Sequence, residues 1–191
     1  TYISGTVFGV KKWELGTQDD CFGVRFQPGQ GILPKDITME MIVNDDIEID
    51  GDIFGKNLTE KIALAKTMSE RIDIFKKAYE DIVLGRSSLS DKEKINEYLV
   101  NRISRTKGMI TMRQLEDETN YSACYLRRIF QSFHGISPKQ FAQYIRFQNL
   151  LMQADKEGVR YEQVALDCGY YDEPHMMKEF KKYSGVTLEQ Y

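Results

Sequence analysis

Hydrophobic and polar positions change their spacing along the chain, and each change predicts a different kind of element. The first apolar segments, TYISGTVFGV at 1–10 and CFGVRFQPGQG at 21–31, mix aromatic and β-branched residues with glycine and proline. This pattern predicts short strands and turns. Strands so few and so short leave unpaired edges. We therefore expect them to be the closing strands of a larger β domain whose beginning is missing.

From Leu58 onward the apolar positions recur every three or four residues, as on one face of a helix. They are Leu58, Ile62, Ala65, Met68, Ile72, Phe75, Tyr79 and Ile82. Thr67 with Glu70 has the pattern of a capping box that begins a second helix, and we expect Gly85 to end it in the left-handed conformation. The preceding strands or a partner chain must cover this stripe, and we slightly favour the strands.

The segment GRSSLS at 85–90 is a short joint rich in glycine and serine. We place a domain boundary there, which gives one domain at 1–85 and a second at 86–191. Ser90 with Glu93 forms another capping box and begins the first helix of the second domain.

After Gly108 the predicted helices become short and regularly interrupted. The pattern places them at about 111–118, 122–134, 137–154, 161–168 and 173–184, with a last one from Thr187. The carboxyl-terminal half is therefore expected to be entirely helical.

Two stretches of this helical half repeat each other at an offset of 50 residues, which becomes 49 upstream of the turn, where Asn120 pairs with Gly169. They are NYSACYLRRIFQSFHGISPKQFAQY at 120–144 and GYYDEPHMMKEFKKYSGVTLEQY at 169–191. The pairs include Tyr121 with Tyr171, Ser122 with Asp172, Leu126 with Met176, Arg128 with Lys178, and Phe130 with Phe180. Each copy is a short helix, a tight turn and a second helix, which is a helix-turn-helix.

The turn and the core of each copy are predicted from residue type. Asn120 and Gly169 tolerate the left-handed backbone that ends a helix, and Ser122 and Asp172 can cap the next one. The residues expected in the core are Leu126, Ile129, Phe130 and Phe133 in the first copy, and Met176, Phe180 and Tyr183 in the second.

Composition and charge narrow the class of protein. A chain of 191 residues with 41% hydrophobic residues can form packed cores. No apolar run approaches the roughly 20 residues of a membrane span, and the amino end lacks a signal-peptide pattern, so a cytoplasmic location is the default. Three cysteines without ligand spacing predict free thiols, with no disulfide, no metal site and no cofactor.

The net charge of −3 is unevenly distributed. Residues 1–85 hold 10 Lys and Arg against 15 Asp and Glu, a net of −5, whereas residues 86–191 hold 16 against 14, a net of +2. Nucleic-acid binding by the second half would require its positive charge to be gathered on one face.

Residues from about 90 to 191 resemble the DNA-binding domain of AraC-type transcription regulators. The resemblance rests on YSACYLRRIF, GISPKQF, the stretch from Arg146 to Ala154, QVALDCGY and HMMKEFKKYSGVT. It implies two helix-turn-helix units joined by a long helix at 137–154. FGVRFQPGQG and the helices after Leu58 resemble the end of an amino-terminal effector-type domain. The expected fold is mainly α, a tandem helix-turn-helix DNA-binding domain joined to a small α+β remnant of a sensing domain.

The sequence departs from the family pattern at three places. Glu116 stands where the family has a small residue between the helices of the first unit, so we expect those helices slightly apart. Leu188 replaces a proline, although Thr187 and Gln190 still form a capping box. The chain stops at Tyr191, where related proteins continue, and we expect a fragment at both ends.

The second helix of each unit is the one that enters the major groove in such proteins. Arginine pairs with guanine and glutamine with adenine, and Cys124 matches a base-facing family position where it could meet a thymine methyl, although a core position is equally open. The base-reading candidates are Cys124, Arg127, Arg128 and Gln131 in the first unit, and Glu173, His175 and Lys178 in the second.

Phosphate contacts are expected from lysines and from the amino ends of capped helices, where free N–H groups favour an anion. The candidates are Ser137, Lys139, Lys181, Lys182 and Thr187. Glu173 and Pro174 make the second unit a poorer base reader, so we expect it to contribute mainly backbone contacts. The connecting helix, about 27 Å long, can hold the two reading helices about one DNA turn apart.

The leading hypothesis is a non-enzymatic, sequence-specific regulator that binds double-stranded DNA. RNA polymerase, a small-molecule effector of the amino-terminal part and a second copy of the chain are further candidate partners; a membrane is not. One alternative is an alkyl-transfer repair enzyme with the same module, but Cys21 follows two acids, which would raise the pKa of its thiol. Another is a helix-turn-helix domain that binds protein.

Overall fold

The structure is a computed structural model that describes residues 1–12, 14, 16–17, 20–49, 53–85, 88–154 and 160–191. Residues 86 and 87 of the GRSSLS joint lie outside this part of the chain. The predicted domain boundary therefore falls partly outside the described residues and stays a prediction.

The amino-terminal segment contains one small antiparallel sheet. β1 (Tyr2–Ser4) pairs with β2 (Asp46–Glu48), and Ile3 lies opposite Ile47. The predicted strand character of the first ten residues is confirmed over these three residues, whereas β2 was not expected from the sequence.

The prediction of a strand at 21–31 is wrong, because this stretch is irregular. Its rings Phe22 and Phe26 instead lie against Phe75, with ring centroids 6.3 and 6.1 Å apart. Pro28 lacks the N–H that a ladder would use. Ring contacts with a helix thus replace the hydrogen bonds of a sheet.

Two helices follow, α1 (Leu58–Leu64) and α2 (Met68–Leu84). The capping box is confirmed, since the Glu70 N–H donates to Thr67 Oγ1 and the Thr67 N–H donates to Glu70 Oε2, both at 3.2 Å. The predicted left-handed end at Gly85 is wrong. Its φ is −75°, because its N–H closes a tight right-handed turn on the end of α2.

The apolar stripe of α2 is covered in part by aromatic residues of its own chain. The rings that meet there are Phe22, Phe26, Phe54, Phe75 and Tyr79. No residue of α2 is fully buried, and Met68, Ile72, Val83 and Leu84 are exposed. The segment before α2 therefore covers the stripe incompletely.

The carboxyl-terminal half of the described chain is helical, as predicted. Its helices are α3 (Asp91–Arg105), α4 (Met112–Thr119), α5 (Ala123–His134), α6 (Pro138–Ala154), α7 (Tyr161–Asp167) and α8 (Glu173–Ser184). The helix expected from Thr187 is one 3-10 turn, Leu188–Gln190. We call α4 with α5 the first unit, α7 with α8 the second unit, and α5 and α8 the reading helices.

Each unit has its own apolar core, and α6 contributes to both. The first core contains Leu99, Ile103, Leu115, Leu126, Phe130, Ile136, Phe141 and Ala142. The second contains Phe147, Leu150, Val164, Ala165, Cys168, Tyr170, Met176, Phe180, Tyr183 and Leu188. Because α6 packs its first half in one core and its second half in the other, it fixes the spacing of the two units.

The amino-terminal segment touches both units at the carboxyl ends of the reading helices. Phe8 packs against both cores, and Val10 lies near Gly185. Gly135 ends α5 with a left-handed φ of 69°, and a Cβ there would lie 2.5 Å from the carbonyl oxygen of Met39. Only glycine permits this close approach without displacing the backbone.

A buried polar pair joins α3 to the end of α5. His134 Nε2 lies 2.8 Å from Asn96 Oδ1, and both residues are buried. The Asn96 oxygen can only accept, so the neutral ring donates from Nε2. Burial among the rings of Phe130 and Phe141 lowers the pKa of His134 to about 4.

Candidate functional site

The turns of both units have the predicted geometry. Asn120 and Gly169 both have left-handed backbones, with φ of 58° and 75°. The Tyr125 N–H donates to Ser122 Oγ at 3.3 Å, and the corresponding bond in the second unit joins the His175 N–H to an Asp172 carboxylate oxygen at 2.8 Å. Both reading helices therefore begin at capped ends.

Glu116 has a role that the sequence did not suggest. Its Oε1 accepts a hydrogen bond of 2.6 Å from the Ala123 N–H, across the turn of the first unit. The N-terminus of α5 thus has two side-chain acceptors, Glu116 and Ser122, whereas Asp172 is the acceptor at α8. The unusual carboxylate links the two helices of the first unit.

The face of α5 opposite the core presents the predicted base-reading residues. Arg127, Arg128 and Cys124 are exposed, and Gln131 is half-buried. The core position that remained open for Cys124 is excluded by this exposure. The predicted core residues Leu126, Ile129 and Phe130 are buried, and Phe133 is half-buried.

The corresponding face of α8 is different in chemistry. His175 and Lys178 are exposed and Glu173 is half-buried. The His175 ring stands edge-on to Tyr170 with centroids 5.6 Å apart, and its Nε2 lies 3.9 Å from Glu179 Oε2. The buried Glu179 also accepts a 3.3 Å hydrogen bond from the Tyr170 hydroxyl.

The predicted phosphate contacts lie at the first turn of α6, at the end of α8 and just after it. Ser137 closes a capping box, with its Oγ and N–H donating to Gln140 Oε1 at 2.8 and 2.9 Å. The Thr187 N–H likewise donates to Gln190 Oε1 at 3.1 Å. The three lysines expected to contact phosphates, Lys139, Lys181 and Lys182, are exposed.

A network that sequence reasoning missed fixes α3 against the first unit. Arg102 donates to both carboxylate oxygens of Glu118 at 2.8 and 2.6 Å, and the Tyr98 hydroxyl donates to Glu118 Oε2 at 2.8 Å. The Arg102 and Tyr98 hydrogen bonds lower the pKa of Glu118. The partners are 16 and 20 residues apart, so no helical spacing signals them.

The three cysteines, on which the repair-enzyme alternative would depend, lie in different environments. Cys21 and Cys124 are exposed free thiols. Cys168 is buried beside the side-chain amides of Asn149 and Gln153, each 3.4 Å from its Sγ, and burial raises the pKa of its thiol. A reactive cysteine requires a lowered pKa, and burial acts on Cys168 in the opposite direction.

Comparison with known proteins finds similarity in the carboxyl-terminal part of the chain. Residues 115–191 match a family model described as a helix-turn-helix domain. An uncharacterized HTH-type transcriptional regulator of Haemophilus influenzae is 31% identical over 107 residues, which is 54% of this chain and 35% of that relative. The chain thus spans about a third of the length of this curated relative.

Two solved structures are also similar. The carboxyl-terminal domain of AraT, a response regulator from Geobacillus stearothermophilus, is 24% identical with a TM-score of 0.45, covering 55% of this chain and 86% of that chain. A DNA-binding transcriptional dual regulator from Escherichia coli K-12 is 21% identical with a TM-score of 0.42, covering 56% and 94%. Of the helices in the described residues, none has the length and apolarity to cross a membrane.

Proposed function

We propose that this chain binds double-stranded DNA and regulates transcription. The match of residues 115–191 to a helix-turn-helix domain model supports the proposal, as does their resemblance to the DNA-binding domain of AraC-type regulators. The observation that carries the proposal is the repetition of one arrangement. Each unit begins its reading helix at a side-chain cap and presents exposed basic residues on the face opposite its core. A helix presented in this way can enter the major groove.

In this proposal the first unit reads bases. Arg127 and Arg128 have the planar donors that pair bidentately with guanine, and Gln131 can pair with adenine one turn further along α5. Cys124, exposed near the amino end of the same helix, is small enough to contact a thymine methyl. The second unit reads less sequence, because Glu173 repels phosphates and His175 is engaged with Tyr170.

The second unit and the start of α6 supply the contacts to the DNA backbone. Lys178, Lys181 and Lys182 are exposed along α8, and Lys139 is exposed in the first turn of α6. Phosphate contacts of this kind position a protein on DNA without reading its sequence. The 17 residues of α6 span about 25 Å, a length suited to two units in successive major grooves.

Selection of bound sites from random duplexes tests the proposal, followed by titration of the selected site at several salt concentrations. We expect one consensus and an affinity that falls steeply with salt. Lys181→Ala and Lys182→Ala should each flatten the salt slope by about one unit, equally for the selected and random duplexes. Lys76→Ala, an exposed lysine of α2, is the matched control and should change nothing.

A chain that selects no consensus and shows no salt-dependent affinity would favour the alternative of a domain that binds protein. The curated relative, named as a transcriptional regulator, supports regulation rather than repair chemistry. A cytoplasmic location fits this function. A small-molecule effector, RNA polymerase and a second copy of the chain stay predictions, as does the division into domains at 1–85 and 86–191.

A further inference from the structure

A pair of tyrosines lies beside a base-reading arginine in the first unit. The ring of Tyr125 is 5.0 Å from the ring of Tyr121, centroid to centroid, and the guanidinium carbon of Arg128 lies 5.5 Å from the Tyr125 centroid. Tyr125 and Arg128 are three residues apart on α5, the spacing at which helical side chains meet. The Arg128 guanidinium therefore lies against a ring that a second ring supports.

The second unit lacks this arrangement at the equivalent positions, which are Tyr171, His175 and Lys178. His175 turns toward Tyr170 and the buried Glu179. Tyr171 is 87% exposed. Within the residues that the structure describes, the Lys178 ammonium has no aromatic ring beneath it.

We propose that Tyr125, supported by Tyr121, is a positioning residue that orients Arg128 toward one base and thereby sets the specificity of the first unit. The inference rests on the proposed function and deepens it. A free arginine side chain samples many rotamers, and ordering them on binding weakens affinity. Contact with an aromatic face restricts the guanidinium before DNA arrives. The planar fork is then presented for bidentate pairing.

The position of the tyrosine pair explains why orientation is its role. Tyr125 is half-buried and Tyr121 is exposed, so the pair lies at the edge of the first core and not within it. The apolar positions that hold α5 in place are Leu126, Ile129 and Phe130. Loss of the Tyr125 aromatic face should therefore change the orientation of the Arg128 guanidinium while α5 stays folded.

The test compares Tyr125→Leu with Tyr125→Phe, which keeps the aromatic face. Binding is measured to the selected site and to duplexes changed at the base where Arg128→Ala relaxes preference. We expect Tyr125→Leu to reduce discrimination at that base about two- to fivefold, the range of an exposed cation–π contact. Tyr125→Phe should match the wild type, and Tyr125→Leu should add nothing to Arg128→Ala.

Two further variants complete the design. Tyr125→Met also removes the aromatic face and keeps an unbranched side chain that suits a helix. If the melting temperature shows that Tyr125→Leu fails to fold, Tyr125→Met should show the same loss of discrimination. Tyr171→Leu is the matched control and should keep the consensus intact. Tyr171 is the equivalent of Tyr121, and its ring contacts no other ring among the described residues.

The proposal is overturned if Tyr125→Leu and Tyr125→Met retain full discrimination, or if the loss persists in the Arg128→Ala background. A loss as large in Tyr125→Phe would also overturn it, since the hydroxyl would then contact DNA directly. These outcomes are distinct from failure of the proposed function, in which the wild-type chain selects no consensus.

Discussion

The two helix-turn-helix units share their packing but differ in what their polar side chains contact. In the first unit, the tyrosine pair lies beside Arg128 on the exposed face, and Glu116 adds a second cap to α5. In the second, His175 lies beside the Tyr170 ring and near the buried Glu179. Duplicated apolar positions thus preserve a fold, while the polar positions between them are free to divide base reading from backbone binding.

The shared packing predicts the largest effect. Phe130 and Phe180 are equivalent in the repeat, and both are fully buried. Phe130→Ala and Phe180→Ala should each lower the free energy of unfolding by about 3–5 kcal/mol, because each leaves a cavity in a closed core. Urea unfolding of both variants measures this. A cost below about 1 kcal/mol in one variant would show that the two cores are not equivalent.

The difference in polar contacts predicts the next effect, on DNA. Arg127→Ala and Arg128→Ala should each weaken binding to the selected site by about 1–3 kcal/mol and relax base preference at one or two positions. Their exposure on the free face of α5 is the reason. Titration of selected and random duplexes provides the measurement. Equal weakening on both would reassign the arginines to the DNA backbone.

A smaller effect depends on pH and belongs to the first unit. The pKa of His134 is lowered from 6.5 to about 4, so the unfolded chain takes up this proton first as the pH falls. The contribution of neutral His134 to stability is therefore fully present above about pH 6.5 and declines below it. The free energy of unfolding should be lower by about 1 kcal/mol at about pH 5.5 than at pH 7.

His134→Gln isolates this contribution, because an amide can still donate to Asn96. The variant lacks this titration. The unfolding free energy of His134→Gln minus that of the wild type should therefore rise by about 1 kcal/mol when the pH falls from 7 to about 5.5. His175 is exposed and is the other of the two histidines, so His175→Gln is the control. A constant difference between His134→Gln and the wild type across this range would contradict the assignment.

The smallest predicted effect is the difference in stability between loss of the cap of α8 and loss of the cap of α5. Asp172→Ala should cost about 1 kcal/mol of stability, since it removes the side-chain acceptor that caps α8. Ser122→Ala should cost about half as much, because Glu116 still accepts from the N-terminus of α5. Thermal unfolding of Ser122→Ala with and without Glu116→Ala compares them. Equal costs for both single variants would remove this role for Glu116.

The sequence predicted the parts of the fold that depend on neighbours in the chain. The capping boxes and the helices from α3 to α8 follow from spacings of three and four residues. The contacts of Arg102 with Glu118 and of Asn96 with His134 join residues 16 and 38 positions apart, and no local pattern encodes them. The strand expected at 21–31 fails for the same reason, since its contacts are made with a distant helix.

For the candidate site, residue type and helical face predicted the exposure of Arg127, Arg128 and Lys178. Their contacts with DNA stay predictions. The direction in which His175 turns depends on Glu179, whose burial follows from the packing of α8 against the second core. The repeat predicted equivalent positions, but packing determines which polar groups near them remain free.

We propose that the first unit reads bases and the second mainly contacts the DNA backbone. Site selection from random duplexes with two unit-specific variants tests this division most directly. One carries Arg127→Ala and Arg128→Ala, and the other carries His175→Ala and Lys178→Ala. We predict that the first variant flattens base preference in one half of the selected site, whereas the second keeps the consensus and only lowers affinity. Loss of base preference in the second variant as large as in the first would contradict the account.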